Sequence, residues 1–154
     1  MKKSNHILFK GQSINDKYKV TFFLKKGSYA EAYRVKDQEG KTKLLKLFAY
    51  SKLDRTQFNE NDDVLEVEIL KEIKHPNMVK FCDSGELLLD GQKYTYAILD
   101  FISGETLADK LKREQSLNIY EAKDIILGVL NGLKYLHSLN NPIIHNDITN
   151  LNVM

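Results

Sequence analysis

The chain has a single cysteine, Cys82, so no disulfide can form within it, and a lone thiol fits a reducing compartment. Set in the apolar run Met78-Val79-Lys80-Phe81-Cys82, that thiol reads as a buried small hydrophobe rather than a reactive group. An excess of charge is missing as well: 23 Lys and Arg stand against 21 Asp and Glu, and the lysines are scattered. A nucleic-acid surface concentrates its basic residues in a stripe, so the sequence argues against such a partner. No apolar run approaches the roughly 18 residues of a membrane span. The basic start Met1-Lys2-Lys3 leads only into Ile7-Leu8-Phe9, too short for the apolar stretch of a signal peptide. These absences point to a cytoplasmic protein without a membrane or nucleic-acid partner. His6, His75, His137 and His145 lack the spacing of metal ligands.

What is present changes character along the chain. Residues 1–17 carry no sustained period and read as a leader that packs as an extra strand. Tyr18 to Leu24 is rich in aromatic and β-branched residues, and Ala30 to Val35 and Lys43 to Phe48 come next as strands. Asp37-Gln38-Glu39-Gly40 between them is turn chemistry. Val64, Leu65, Ile69, Leu70 and Ile73 then recur at helical spacing, and Pro76 stops that helix through the residue before it. Strands are expected near 78–89 and 93–101, joined by Asp90-Gly91. Helices are expected over Thr106 to Lys112 and Ile119 to Leu136. The second has a broad apolar face of Ala122, Ile125, Ile126, Val129, Leu130, Leu133 and Leu136. Ile143-Ile144 reads as a short strand. The order is three strands, a helix, two strands, then helices, an α+β arrangement.

Four segments carry chemistry. The turn in Leu24-Lys25-Lys26-Gly27-Ser28-Tyr29-Ala30-Glu31-Ala32 holds one glycine between two strands, which by itself reads as a plain hairpin. Gly40-Lys41-Thr42 imitates the end of a phosphate-binding P-loop, but the earlier glycine is absent and the segment lies in a hairpin turn. Lys46 sits among leucines on a strand. Burying an ammonium unpaired is costly, so it either snorkels to water or meets a carboxylate. Glu66 lies nine residues ahead of His75, and its neighbour Glu68 points to another helix face. Ala97-Ile98-Leu99-Asp100-Phe101-Ile102 closes the last strand, and His145-Asn146-Asp147 stands five residues ahead of Asn152 after the long helix.

Taken in this order, the segments resemble a protein kinase over residues 18 to 154. The resemblance implies a five-stranded antiparallel N-lobe sheet with one regulatory helix (18–102), preceded by the leader. The first helices of the helical C-lobe (103–154) would come after it, ending at the catalytic loop. It implies ATP and Mg²⁺ as cofactors and a protein substrate, the γ-phosphate passing to a serine or threonine hydroxyl. Asp147 would accept or orient the hydroxyl proton, Lys46 would hold the α- and β-phosphates paired with Glu66, and Asn152 would ligate the metal. Gly27 and Ala32 would cover the nucleotide, with Leu99 as gatekeeper and backbone groups of Asp100 and Ile102 on the adenine edge. The chain departs from the pattern at several places. Lys25 and Ala30 replace two glycines of the loop, Leu44 replaces an alanine over the adenine, Asn146 an arginine, and Thr149 a lysine. These departures keep two further readings open: a pseudokinase that senses nucleotide or docks a partner, and a small-molecule kinase. The Asp-Phe-Gly segment of the family would come after Met154, so the 154 residues read as part of a longer protein and are expected not to transfer phosphate by themselves. The apolar face of 119–136 is expected to be exposed or to self-associate.

Overall fold

The computed structural model describes residues 6–154, and the basic stretch Met1–Asn5 lies outside the described residues. The chain divides into two compact units, one running to Glu72 and resuming at Lys80–Phe101, the other made of Ile73–Val79 and Ile102–Met154.

The first unit is built on a six-stranded sheet, antiparallel throughout. Its strands are β1 (Ser13–Ile14), β2 (Tyr18–Lys26), β3 (Ala30–Lys36), β4 (Thr42–Ala49), β5 (Phe81–Leu89) and β6 (Gln92–Asp100), in the order β1-β2-β3-β4-β6-β5. The five long strands arise from their β-rich sequences; the two-residue β1 adds the leader to the edge. The connecting turns use the residues their geometry demands. Asp37 Oδ1 accepts from the N–H groups of Glu39 (3.0 Å) and Lys41 (2.9 Å), and Asp90 and Gly91 both take positive φ, as a two-residue hairpin needs.

Each face of the sheet buries its own cluster. One face gathers Val20, Tyr33, Val35, Leu45, Leu47, Tyr96 and Ile98, and the leader closes it with Leu8 and Ile14. The other buries Phe48 and Ala97 beneath α1 (Leu65–Glu72). Most of the expected stripe holds, with Val64 and Ile73 buried and Leu70 packed on the cluster, but Val67 is buried and Leu65 is exposed. Glu66 meets Lys46 from this helix, so an ion pair and an apolar contact hold the helix on the sheet together.

Cys82 corrects an expectation. It is exposed, because β5 is the sheet's edge and Cys82 is the residue skipped where the β5–β6 register shifts between Phe81 and Asp83. Partial desolvation by its neighbours and the hydrogen bond to the Asp100 carboxylate push its thiol up all the same.

Gly85 of β5 shows how closely this sheet is packed. A Cβ there would lie 2.6 Å from the Tyr96 hydroxyl oxygen, and Tyr96 is 1% exposed. Gly85→Ala is therefore expected to destabilise the protein by about 1–3 kcal/mol, the usual cost of overpacking. A urea-unfolding midpoint equal to wild type would show that Tyr96 yields freely.

The second unit holds α2 (Leu107–Glu114) and α3 (Ile119–His137). Thr106 caps α2 by accepting from Asp109 N at 3.1 Å, and Asn118 caps α3 by accepting from Tyr120 N and Glu121 N at 3.0 Å each. The segment His75-Pro76-Asn77-Met78 lies along α3. His75 stacks on Tyr135 (4.9 Å between centroids), and Asn77 and Met78 pack on Gly128 and Gly132. Leu136 of the apolar face is buried, whereas Ile126 and Leu130 stay 56% and 53% exposed. Ile143-Ile144 forms no strand. No strand lies beside it in this unit to supply a ladder, and Ile143 N donates instead to Leu136 O at 3.1 Å. No described helix is long and apolar enough to cross a membrane.

Candidate active site

Residues directly opposite in an antiparallel sheet share a face, so the register sorts the candidate side chains. One row across the sheet is Lys25, Ala32, Lys46, Ala97 and Ser84; the next is Phe22, Arg34, Leu44, Leu99 and Phe81. Both rows lie on the face that α1 covers, because Lys46 Nζ reaches Glu66 Oε1 on that helix. The Phe22–Arg34 pair agrees, with the guanidinium 5.5 Å from the ring centroid. Glu68, the alternative partner, bonds Lys71 Nζ at 2.5 Å and leaves Glu66 to Lys46. The Lys46 side chain is 31% exposed, so its ammonium is held by one carboxylate and still reachable by a ligand.

Around Lys46 the face is small and apolar. Ala32 and Ala97 flank it directly, and Leu44 and Leu99 form the next row. The turn above is closed by Gly27 N donating to Ala30 O at 2.8 Å. The N–H groups of Ser28 and Tyr29 have no protein partner among the described residues, which suits an anion. At the end of β6 the Asp100 side chain turns to the opposite face, where Lys43 Nζ bonds it at 2.6 Å and the Cys82 thiol at 3.2 Å. These two donors hold the Asp100 carboxyl below the usual carboxylate range. Asp100 N is committed to Lys80 O at 2.8 Å, so of its backbone groups the carbonyl is the one to consider for a ligand.

The remaining candidates lie in the second unit. Ile102 is 45% exposed, and its N–H has no protein partner among the described residues. Asp147 and Asn152 are joined directly: Asn152 Nδ2 donates to Asp147 Oδ2 at 2.7 Å and to Asp147 O at 3.0 Å. The asparagine thereby fixes the carboxylate's orientation and keeps its own Oδ1 uncommitted. Asn146 takes φ +58°, a left-handed conformation that asparagine tolerates better than most residues; this gives the residue a backbone reason to stand where arginine is usual. The Asp147–Asn152 bond was not foreseeable from spacing alone.

This arrangement is that of a protein kinase domain, and residues 18–154 match that family; the chain belongs to it. Among its relatives, serine/threonine-protein kinase tousled-like 2 of Mus musculus is 31% identical over 146 residues, covering 92% of this chain and 20% of that protein. Serine/threonine-protein kinase WNK of Caenorhabditis elegans is 33% identical over 145 residues, with 86% and 8% covered. The probable serine/threonine-protein kinase fhkD of Dictyostelium discoideum is 28% identical over 144 residues, with 93% and 18% covered. The chain spans a fifth or less of the length of these relatives. With the family match, they make it a protein-kinase-type domain.

Proposed function

We propose that this domain binds ATP against the sheet face under α1 and that the whole protein transfers the γ-phosphate to a serine or threonine hydroxyl. The observation that carries the reading is the Lys46–Glu66 pair on that face. A lysine held by one carboxylate presents its remaining N–H donors to phosphate oxygens, and charge-assisted bonds of this kind are the strong ones. Ala32, Leu44 and Leu99 supply an apolar bed for the base, and the free N–H groups of the Gly27 turn suit phosphate oxygens. In the transfer itself, the hydroxyl oxygen bonds to the γ-phosphorus as the bond to ADP breaks, and its proton passes to the Asp147 carboxylate.

Mg²⁺ fits the donors only in part. Asn152 Oδ1 is a hard oxygen of the type this ion takes, and no group of three or more His, Cys, Asp or Glu is placed to hold a metal among the described residues. One protein oxygen suits an ion that keeps its waters and binds largely through phosphates, where it would neutralise phosphate charge. Serine and threonine as acceptors, and a cytoplasmic setting, belong to this proposal; the relatives, named as serine/threonine-protein kinases, support the first. The pseudokinase reading draws on Lys25 and Ala30, which replace loop glycines, and it predicts nucleotide binding without transfer.

The test is calorimetric titration of ATP. Lys46→Ala is expected to weaken binding by about 1.5–3 kcal/mol through loss of charge-assisted bonds to phosphate. Equal affinity in both proteins, or none in either, would overturn the proposal.

A further inference from the structure

Lys25 stands on the face opposite to the one that alternation from Phe23 would give it. Phe23 faces Tyr33 in the cluster away from α1, so strict alternation would return Lys25 to that side. The β2–β3 register shifts between Phe23 and Lys25, leaving Leu24 unmatched and setting Lys25 opposite Ala32. Such a bulge inverts the facing of the residues beyond it. The next pair confirms the inversion, since Lys26 meets Glu31 at 3.6 Å on the far face. Lys25 therefore shares a face with Ala32 and Lys46. The two lysines lie two strand spacings apart, ~9.5 Å, with only an alanine methyl between them.

The two cations differ in one respect. Lys46 is paired with Glu66, and Lys26 with Glu31, whereas Lys25 is exposed and its ammonium has no hydrogen bond or ion pair among the described residues. An ammonium kept free on the rim of an alanine floor, opposite a second ammonium, is placed to meet a multiply charged anion lying across that floor. We infer that Lys25 is a second side-chain cation for the polyphosphate of a nucleoside di- or triphosphate, supplying from the first strand of the turn the contact that a glycine there could make only through its backbone. The assignment rests on the nucleotide reading proposed above and adds a residue to it.

The experiment compares ATP, ADP and adenosine binding to wild type, Lys25→Met, Lys25→Gly and Lys46→Ala by calorimetry. Lys25→Met keeps the stem and removes the charge. It is expected to lose on the order of ten-fold in ATP and ADP affinity and none for adenosine, with an unchanged thermal midpoint. Added salt should narrow the difference, since the site is exposed. If Lys46→Ala weakens ATP and Lys25→Met does not, Lys25 has no such role while the nucleotide reading stands. Tighter ATP binding by Lys25→Gly would mean that the side chain obstructs the site, and an equal loss for adenosine would mean that the stem packs on the nucleoside; either result overturns the inference. Absence of ATP binding by the wild type overturns both.

Discussion

Asp147→Asn is expected to lower phosphoryl transfer by the whole protein about 10²–10⁴-fold, the usual range for loss of a positioned general base, while leaving ATP affinity within two-fold of wild type. The expectation comes from the bond pattern of the loop. Asn152 Nδ2 donates to Asp147 Oδ2 at 2.7 Å and to the Asp147 carbonyl at 3.0 Å. One carboxylate oxygen is thereby fixed and the other left to take a proton. Replacing the carboxylate with an amide of the same shape keeps the size and removes the basicity, and an amide cannot accept the hydroxyl proton. Asn152→Ala should fall between wild type and Asp147→Asn in rate, because the carboxylate survives but loses its orientation. The measurement is transfer of labelled γ-phosphate from Mg-ATP to serine- and threonine-containing peptides under single-turnover conditions. Unchanged transfer by Asp147→Asn would remove this residue from the chemistry, and transfer by neither protein with ATP still bound would favour the nucleotide-sensing reading.

The parts of the site that sequence reveals are those set by local pattern. Lys46 is legible because an ammonium among leucines needs a partner, and Glu66 because the kinase resemblance sets that partner nine residues ahead of His75. The long strands declare themselves through β-branched and aromatic residues, and the long helix through its apolar period. The features that sequence hides depend on partners far along the chain. Val67, not Leu65, is the buried residue of α1. Both lie in an apolar helical run, and only the sheet beneath chooses between them. The two register shifts in β2, between Val20 and Phe22 and between Phe23 and Lys25, invert the facing of Phe22 and Phe23 between them and restore it beyond, without any composition signal. Ile143-Ile144 has strand propensity but no strand beside it, so propensity yields to context. Cys82 sits in an apolar run, yet an edge strand and a bulge leave it open to solvent.

Tyr33→Ala is expected to destabilise the protein by about 3–5 kcal/mol, the range for removing a buried aromatic side chain. The reason lies in how the leader is held. Tyr33 is fully buried, and its hydroxyl accepts from Ile7 N at 3.1 Å and Leu8 N at 3.0 Å while donating to Glu31 Oε2. Ile7 N also donates to Glu31 Oε2 at 2.9 Å. Glu31 is 3% exposed, its other oxygen has no hydrogen-bond partner, and Lys26 at 3.6 Å supplies the compensating charge. Burial alone would raise this carboxyl; the Tyr33 and Ile7 donors, with Lys26 and Lys52, outweigh it and hold the group below its ordinary 4.5. A carboxyl depressed in the folded state stabilises the fold fully above its unfolded value, and that contribution is lost as pH falls through the folded value. Tyr33→Phe, which keeps the ring and orphans Leu8 N while Ile7 N keeps Glu31 Oε2, should cost less than Tyr33→Ala, about 1–3 kcal/mol. In urea titrations from pH 7 downward, the stability gap between wild type and Glu31→Gln should be widest near neutrality. It should shrink below about pH 4.5 as the wild-type carboxylate takes up its proton. A gap that stays constant across the acid range would mean that the Glu31 charge contributes nothing to seating the leader. The hydroxyl of Tyr33, the backbone bonds of Gly11 and Gln12 to Val20 and the apolar burial of Leu8 and Ile14 would then fasten residues 6–14 to the sheet without help from that charge.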